Sequence, residues 1–437
     1  MNQFTASLWG DEAFSATLSQ KSVIGIVTTI IRDTSPPLYN LTEHFWFSLF
    51  GNSEVAIRAL SFFYYFLAIF FVYKIGEYLW NKKTGFLAAI LAFLNPFFFI
   101  YAFEGRMYSL LAFTVTASMY FFLKRSWFFY VLATTLALYT HHFAIFALFI
   151  QGGWFLKEFF FGKRKQSLPI LKSFLAIGIL YLPWLIPLYK QVSMVGGGFW
   201  LATPKLKDLI GLIGRYLAAG ITHPLAKPAV IVSLLILIFR NWFKDKEKNL
   251  FLLSWFLGPI LLAFIISQKF TSIFYDRYLL YAIPAAAILL ASNLRKVSWL
   301  LLGVLTILLL LIDFNYFTHP TKKPFREFAA YVQSVKKGDD YLINWNSAAH
   351  HLWETKYYQI PAPIYNPETG ELPFYVGTAL MTKDDVINKL PSGKEAAKIN
   401  RIGVITSGPI EEVFIPGYTK IEEHATGPLK IIWLRKR

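Results

Sequence analysis

Asp11-Glu12, Asp33 ahead of Pro36-Pro37-Leu38-Tyr39, and Glu104-Gly105-Arg106-Met107-Tyr108 place ionisable side chains at the mouths of strongly apolar segments. A charge beside hydrocarbon costs roughly 3 kcal/mol at a helix centre on insertion scales, so such residues face a cavity, pair with one another, or do chemistry. A carboxylate at Asp11 or Glu12 suits general-base work on a hydroxyl. Arg106 offers a planar fork that fits a phosphate, and Glu104 suits a divalent cation or a sugar hydroxyl.

Each group also has a plainer structural explanation. Asp11 fits a helix N-cap with Glu12 complementing the macrodipole, and adjacent side chains diverge by about 100°, so the two need not share a role. The paired prolines fix φ and start a helix, which is reason enough for the turn after Asp33; the same turn would also hold Asp33 and Tyr39 near headgroups, where a phosphorylated lipid lies. Glu104 either pairs with Arg106 or leaves it a phosphate to clamp, and Tyr108 follows one helical turn on. His141-His142 is either a polar pair at an interface or a contact for phosphate or acceptor, since a transition metal would want a third ligand. Asp276-Arg277-Tyr278 opens another apolar run, where Arg277 either snorkels to the headgroups or adds a second cation to an anion site. No Gly-rich phosphate loop occurs, so no nucleotide cofactor is expected. The absence of cysteine excludes disulfides and thiolate chemistry.

The elements that must position these residues belong to a membrane protein. The 437-residue chain is 55% hydrophobic, 18% aromatic and only 16% charged. Its net charge of +17 lies mostly in short turns between apolar runs, as the positive-inside rule requires, so nucleic acid is not an expected partner. Runs long enough to cross about 30 Å of hydrocarbon lie near 57–80, 84–103, 107–123, 168–189, 228–243, 249–268, 272–292 and 297–314, and 126–161 divides into two at His141-His142. That predicts about ten helices. Lys82-Lys83, Lys124-Arg125, Lys157 with Lys163-Arg164-Lys165, Arg240 to Lys248, and Arg295-Lys296 fall on alternate turns and define the cytoplasmic side. The acidic and histidine constellations, the Gly196-Gly197-Gly198 loop and the C-terminal tail then share the outer face of a multi-pass plasma-membrane protein. An amphipathic helix is expected around Leu206 to Leu217 and another over Ala13 to Thr29. No run before residue 40 is long enough to cross, so the chain is expected to begin outside.

Beyond Asp313 the composition becomes mixed. The reading divides the chain into a transmembrane domain, 1–317, whose loop 1–56 carries the outer-face acids, and a small extracytoplasmic α/β domain, 318–437. In the latter, helices are expected over Pro324 to Lys336, Ser347 to Tyr358 and Lys383 to Leu390, and strands over Tyr341 to Trp345, Ile402 to Thr406 and Leu429 to Leu434. Asn366 to Gly370 and Pro391-Ser392-Gly393 read as loops.

In order, Ser7-Leu8-Trp9-Gly10-Asp11-Glu12-Ala13, Pro36-Pro37-Leu38-Tyr39, Glu104-Gly105-Arg106-Met107-Tyr108-Ser109-Leu110, Tyr139-Thr140-His141-His142-Phe143 and Arg277-Tyr278-Leu279-Leu280 resemble the bacterial branch of the GT-C membrane glycosyltransferases, which includes protein mannosyltransferase-like and lipid A glycosyltransferase-like families. The resemblance covers 7–160 well and the later spans loosely. It implies an inverting enzyme that moves a hexose such as mannose, or a related sugar, from a polyprenyl-phosphate carrier to an extracytoplasmic protein, lipid or glycan acceptor. It maps the base onto Asp11, with Glu12 beside it. Glu104, with Asp11, becomes a candidate ligand for Mg²⁺ or Mn²⁺. Arg106, Tyr108, Tyr39 and Arg277 map near the donor phosphate, and Asp33, His141, His142 and Tyr278 join them as substrate contacts. Two departures stand out: relatives usually carry a spanning helix before the acidic pair, so either the topology is unusual or the gene start is truncated, and Ser35 stands where many have a cation. A polyprenyl-linked sugar flippase, or a non-catalytic cell-envelope assembly partner, is the alternative function.

Overall fold

A run that is apolar on all sides forms a helix whose every face is buried or meets lipid. The computed structural model describes residues 2–162, 164–391 and 399–437. Lys163 among the loop cations, and Ser392 and Gly393 among the loop residues, lie outside that set. Among the described residues, five helices are long and apolar enough to cross a bilayer unaided: Glu54–Leu79, Ala144–Phe161, Ser167–Gly196, Lys246–Lys269 and Lys296–Thr318. The other apolar runs are helical where expected, but short or broken. Lys82–Phe93 and Pro96–Ala102 meet at 70°. There Asn95 Oδ1 accepts from Phe98 N at 3.0 Å and caps a new helix, with Pro96 in its first turn. Trp127–Thr140 ends at His141, and the next helix starts at Ala144, so the break falls at the histidine pair. The run 272–292 is a 3₁₀ helix, Asp276–Ala282, continued by Ile283–Ala291. Phe63, Phe66 and Phe70, at 48–52% exposure along one helix, show the apolar face left for lipid.

The chain divides into two compact units, one made of Met1–Asp33, Asn40–Ile57 and Pro320–Arg437, the other of Thr34–Tyr39 and Arg58–His319. In the helical unit, polar side chains join helices where water is absent. Tyr130 Oη donates to Gln151 Oε1 at 2.8 Å, Gln151 Nε2 donates to Ser118 Oγ at 2.9 Å, and Ser118 meets Thr134 at 2.7 Å. Two glycines permit a tight crossing: a Cβ on Gly76 would lie 2.7 Å from Gly85 Cα, and one on Gly85 would lie 2.5 Å from Tyr73 O. The amphipathic helix Leu206–Leu217 has the expected bounds.

The other unit is built on a six-stranded sheet of order β3-β2-β1-β4-β6-β5, with β1 (Asp340–Trp345), β2 (Ile364–Tyr365), β3 (Val386–Ile387), β4 (Arg401–Thr406), β5 (Tyr418–Thr426) and β6 (Leu429–Lys436). The first four are mutually parallel and the last pairings antiparallel. Alternation along the strands sends Leu342, Ile405, Ile431 and Trp433 to one face, where they bury Phe325, Phe328 and Val332 of the helix Phe325–Val335. Ile343, Ile402, Val404, Ile432 and Leu434 pack on the other face. Two expectations are corrected. Lys383 to Leu390 is a 3₁₀ turn, Lys383–Asp385, followed by β3, because the β-branched pair Val386-Ile387 joins the edge of the sheet beside Ile364-Tyr365. Ala13 to Thr29 is two helices, Gly10–Ser19 and Val23–Ile30, because Ser22 Oγ accepts from Gly25 N at 3.2 Å and restarts the chain.

Candidate active site

In the sheet-bearing unit the helix Gly10–Ser19 carries the acidic pair and lies along the short helix His351–Tyr357. Gly10 allows the approach, since a Cβ there would stand 3.3 Å from both the Cβ and the carbonyl oxygen of His350. Phe14 meets Trp353 edge to face at 5.3 Å. This packing separates the two acids. Glu12 is wholly buried and pairs with Lys322 Nζ at 2.8 Å, while also accepting from Trp9 N at 3.4 Å. Asp11 is half-buried, and its charge acts on His350 and Glu354. Burial lowers the affinity of His350 and His351 for a proton and raises that of Glu354, so the pair joined at 2.5 Å between His351 Nδ1 and Glu354 Oε2 is neutral. The far end of the same helix is anchored on the segment from Asn40: Ser19 Oγ donates to Glu43 Oε2 at 2.7 Å, and Asn40 Nδ2 donates to Ser19 Oγ at 3.0 Å. Asp33, also in this unit, is buried at the turn that ends Val23–Ile30, its N–H bonded to Ile30 O at 3.0 Å.

In the helical unit the second set of residues gathers around aromatic rings. The segment after Pro96–Ala102 turns sharply: Ser61 Oγ donates to Glu104 O at 2.5 Å, and Arg106 N donates to the same oxygen at 2.7 Å. Glu104 is buried, with Tyr108 opening the helix Tyr108–Lys124. The guanidinium of Arg277 lies over the Tyr108 ring at 5.5 Å and over Tyr275 at 4.7 Å. Tyr108 stacks near Tyr278 at 6.4 Å, and Tyr278 meets His141 at 4.8 Å. Burial holds His141 well below the ordinary histidine range, helped by the charges of His142, Arg106 and Arg277. Both arginines thus act on one imidazole. His142 points elsewhere: its Nε2 lies 2.8 Å from Gln191 Oε1, and Gln191 Nε2 donates to Ser35 O at 3.2 Å. Burial pushes His142 down to about 4. The turn Ser35-Pro36-Pro37-Leu38-Tyr39, with Tyr39 buried, is thereby tied to the histidine pair. Gln191 and Lys322 carry no signal of their own in the sequence: Gln191 is recognisable by His142 and Ser35, 49 and 156 residues away, and Lys322 by its pairing with the distant Glu12.

Asp11 and Glu104 belong to no group of three or more His, Asp or Glu side chains that could share an ion, among the described residues.

The fold is that of the GT-C membrane glycosyltransferases. Residues 34–188 match the family model described as dolichyl-phosphate-mannose-protein mannosyltransferase. ArnT from Cupriavidus metallidurans in the apo state superposes with a TM-score of 0.67 over 98% of this chain and 94% of its own, at 12% identity. The same protein bound to undecaprenyl phosphate gives 0.65 over the same shares at 10% identity. AglB, the archaeal oligosaccharyltransferase from Archaeoglobus fulgidus, in complex with an inhibitory peptide and a dolichol-phosphate, gives 0.50 over 92% of this chain and 66% of its own, at 12% identity. No curated protein matches the sequence.

Proposed function

We propose that this chain is an inverting glycosyltransferase of the plasma membrane, transferring a hexose or related sugar from a polyprenyl-phosphate carrier to a hydroxyl of a protein, lipid or glycan acceptor on the outer face. The observation that carries the reading is the pairing of Arg106 and Arg277 around His141, Tyr108 and Tyr278, in a fold whose structural neighbour was solved with undecaprenyl phosphate. Two guanidinium forks suit the charge of a sugar-phosphate diester and the second charge that develops as it departs.

Asp11 is the base. It takes the acceptor proton as the acceptor atom bonds to the anomeric carbon from the face opposite the phosphate. The C–O bond to phosphate breaks with its electron pair on the leaving oxygen, giving polyprenyl phosphate and an inverted glycoside. The phosphate needs charge stabilisation rather than protonation, which is the part assigned to Arg106 and Arg277. Glu12 is a positioning residue: bound to Lys322, it fixes the first turn of the helix that presents Asp11. Tyr39, Tyr108 and Tyr278 line the donor side, with His141 and His142 ordering the loop between two helices.

The test is release of polyprenyl phosphate from a panel of polyprenyl-phosphate sugars by purified wild-type protein and Asp11→Asn, with candidate acceptors present. Turnover lost in the variant with donor affinity kept supports the assignment. Undiminished turnover in Asp11→Asn removes the base, and donor binding without turnover across the panel favours lipid-linked sugar movement instead.

A further inference from the structure

His350, His351 and Glu354 stand outside every role given above. The three occupy one face at the start of the helix His351–Tyr357, with Glu354 one turn beyond both histidines. One ligand atom from each lies within 4.8 Å of the other two. His351 is wholly buried, and Glu354 is 1% exposed. Two imidazoles and a carboxylate, with a fourth direction left for water, is the donor set of a catalytic-type zinc site.

We propose that His350, His351 and Glu354 bind a divalent transition-metal ion of the zinc class. The surroundings meet the demands of such a site. His351 gives Nδ1 to the ion and keeps its ring proton on Nε2, which donates to Ser407 Oγ at 3.0 Å; Ser407 Oγ also accepts from Lys323 Nζ at 3.0 Å. A hydrogen bond from the far nitrogen is the usual way in which a liganding histidine is oriented. The Glu354 carboxylate exchanges its contact with His351 for a bond to the ion, and a rotation of the half-buried His350 ring closes the longer separations to the roughly 3.3 Å expected between ligands of a tetrahedral ion. Charge also permits it. Glu12 is neutralised by Lys322, and the charge of Lys323 is opposed by that of Asp11, so the ion meets a balanced surrounding and Glu354 gives up its proton as it binds. Two imidazole donors with a single carboxylate favour zinc, cobalt or nickel over magnesium or calcium, which take oxygen ligands.

The experiment is metal binding by the full chain in detergent, stripped with a chelator and dialysed. Co²⁺ is titrated while its visible d–d absorption is followed, since the intensity of that band reports the coordination geometry, and bound Zn²⁺ is measured by mass spectrometry after gel filtration. One ion per chain with micromolar or tighter affinity, lowered at least tenfold in His350→Ala and in Glu354→Gln and unchanged in His141→Ala, supports the site. Absence of stoichiometric Zn²⁺ and of a ligand-field spectrum in the wild type overturns it, as does equal binding by the variants. Where a buried substitution prevents folding, the half-buried His350→Ala and the wild-type spectrum still decide the question. Sugar transfer is not the readout, so the outcome is independent of the glycosyltransferase reading.

Discussion

Lys322 Nζ lies 2.8 Å from Glu12 Oε2, and the two side chains are 12% and 0% exposed. A buried carboxylate so placed is stable only while its partner remains, because an uncompensated buried charge costs about 3–5 kcal/mol. Lys322→Met is therefore expected to lower the unfolding free energy by roughly that amount, and adding Glu12→Gln is expected to restore most of it. Asp11→Asn, at a half-exposed position, should leave the unfolding midpoint almost unmoved while abolishing transfer. Chemical denaturation of the four proteins, read beside the transfer assay, separates the neighbouring acids into a structural and a reacting one. A stability loss in Asp11→Asn equal to that in Lys322→Met would contradict the division.

Arg106 and Arg277 differ from lysine in their fork rather than in charge. Arg277→Lys should keep the long-range attraction for a phosphate, lose bidentate contact and lose stacking on Tyr108 and Tyr275. Hydrogen bonds to charged groups contribute about 1.5–3 kcal/mol, so donor affinity should fall roughly 10- to 100-fold in either arginine-to-alanine variant and by less in the lysine variants. Binding of a polyprenyl phosphate to each purified variant checks this without requiring turnover. Affinity unchanged in both alanine variants would move the phosphate site elsewhere.

His142 gives the protein a defined sensitivity to acid. Its folded-state pKa is pushed down to about 4 by burial, against about 6.5 when unfolded. Below about pH 6.5 the unfolded chain takes up a proton that the folded chain refuses, so stability is full above that pH and falls as pH drops toward 4. The loss approaches roughly 3 kcal/mol at the lower end, with His141 contributing in the same direction. His142→Gln should flatten this part of the stability–pH curve and keep a partner for Gln191. Thermal midpoints between pH 4 and 7 measure it, and an unchanged slope in the variant would show that the imidazole is protonated inside the fold.

The helical unit was legible because hydrocarbon imposes length and composition on every span, and even the break at His141-His142 follows from polar residues interrupting a run too long for one crossing. The sheet was only half legible. Strands β1, β4 and β6 are buried and read as apolar runs, whereas β5 is Tyr-Thr-Lys-Ile-Glu-Glu-His-Ala-Thr, an exposed edge strand defined by its pairing with β6 rather than by its own hydrophobicity. Strands β2 and β3 contain two residues each, too few to show a period. The candidate site divides in the same way. Asp11, Glu104, Arg106 and Arg277 announced themselves as charges beside hydrocarbon, while His350, His351 and Glu354 lie in a stretch where polar residues are ordinary. Their significance comes from burial and mutual distance, neither of which the sequence displays.

The crossing at Gly76 and Gly85 supplies a test of packing alone. A Cβ on Gly85 would stand 2.5 Å from Tyr73 O and 2.9 Å from Glu77 N, both backbone atoms that cannot rotate away, so Gly85→Ala must push the helices Glu54–Leu79 and Lys82–Phe93 apart. Overpacking of this kind costs about 1–3 kcal/mol. Gly152, inside the helix Ala144–Phe161, has nothing within 4 Å of its added Cβ, and there the same substitution gains up to about 1 kcal/mol of helix propensity. The two Gly→Ala variants should therefore shift the unfolding midpoint in opposite directions although the chemical change is identical. A midpoint lowered equally by both would mean that helix propensity and interhelical space do not govern these positions, whereas an unmoved midpoint in Gly85→Ala would mean that the close approach is relieved by a small displacement of the whole helix.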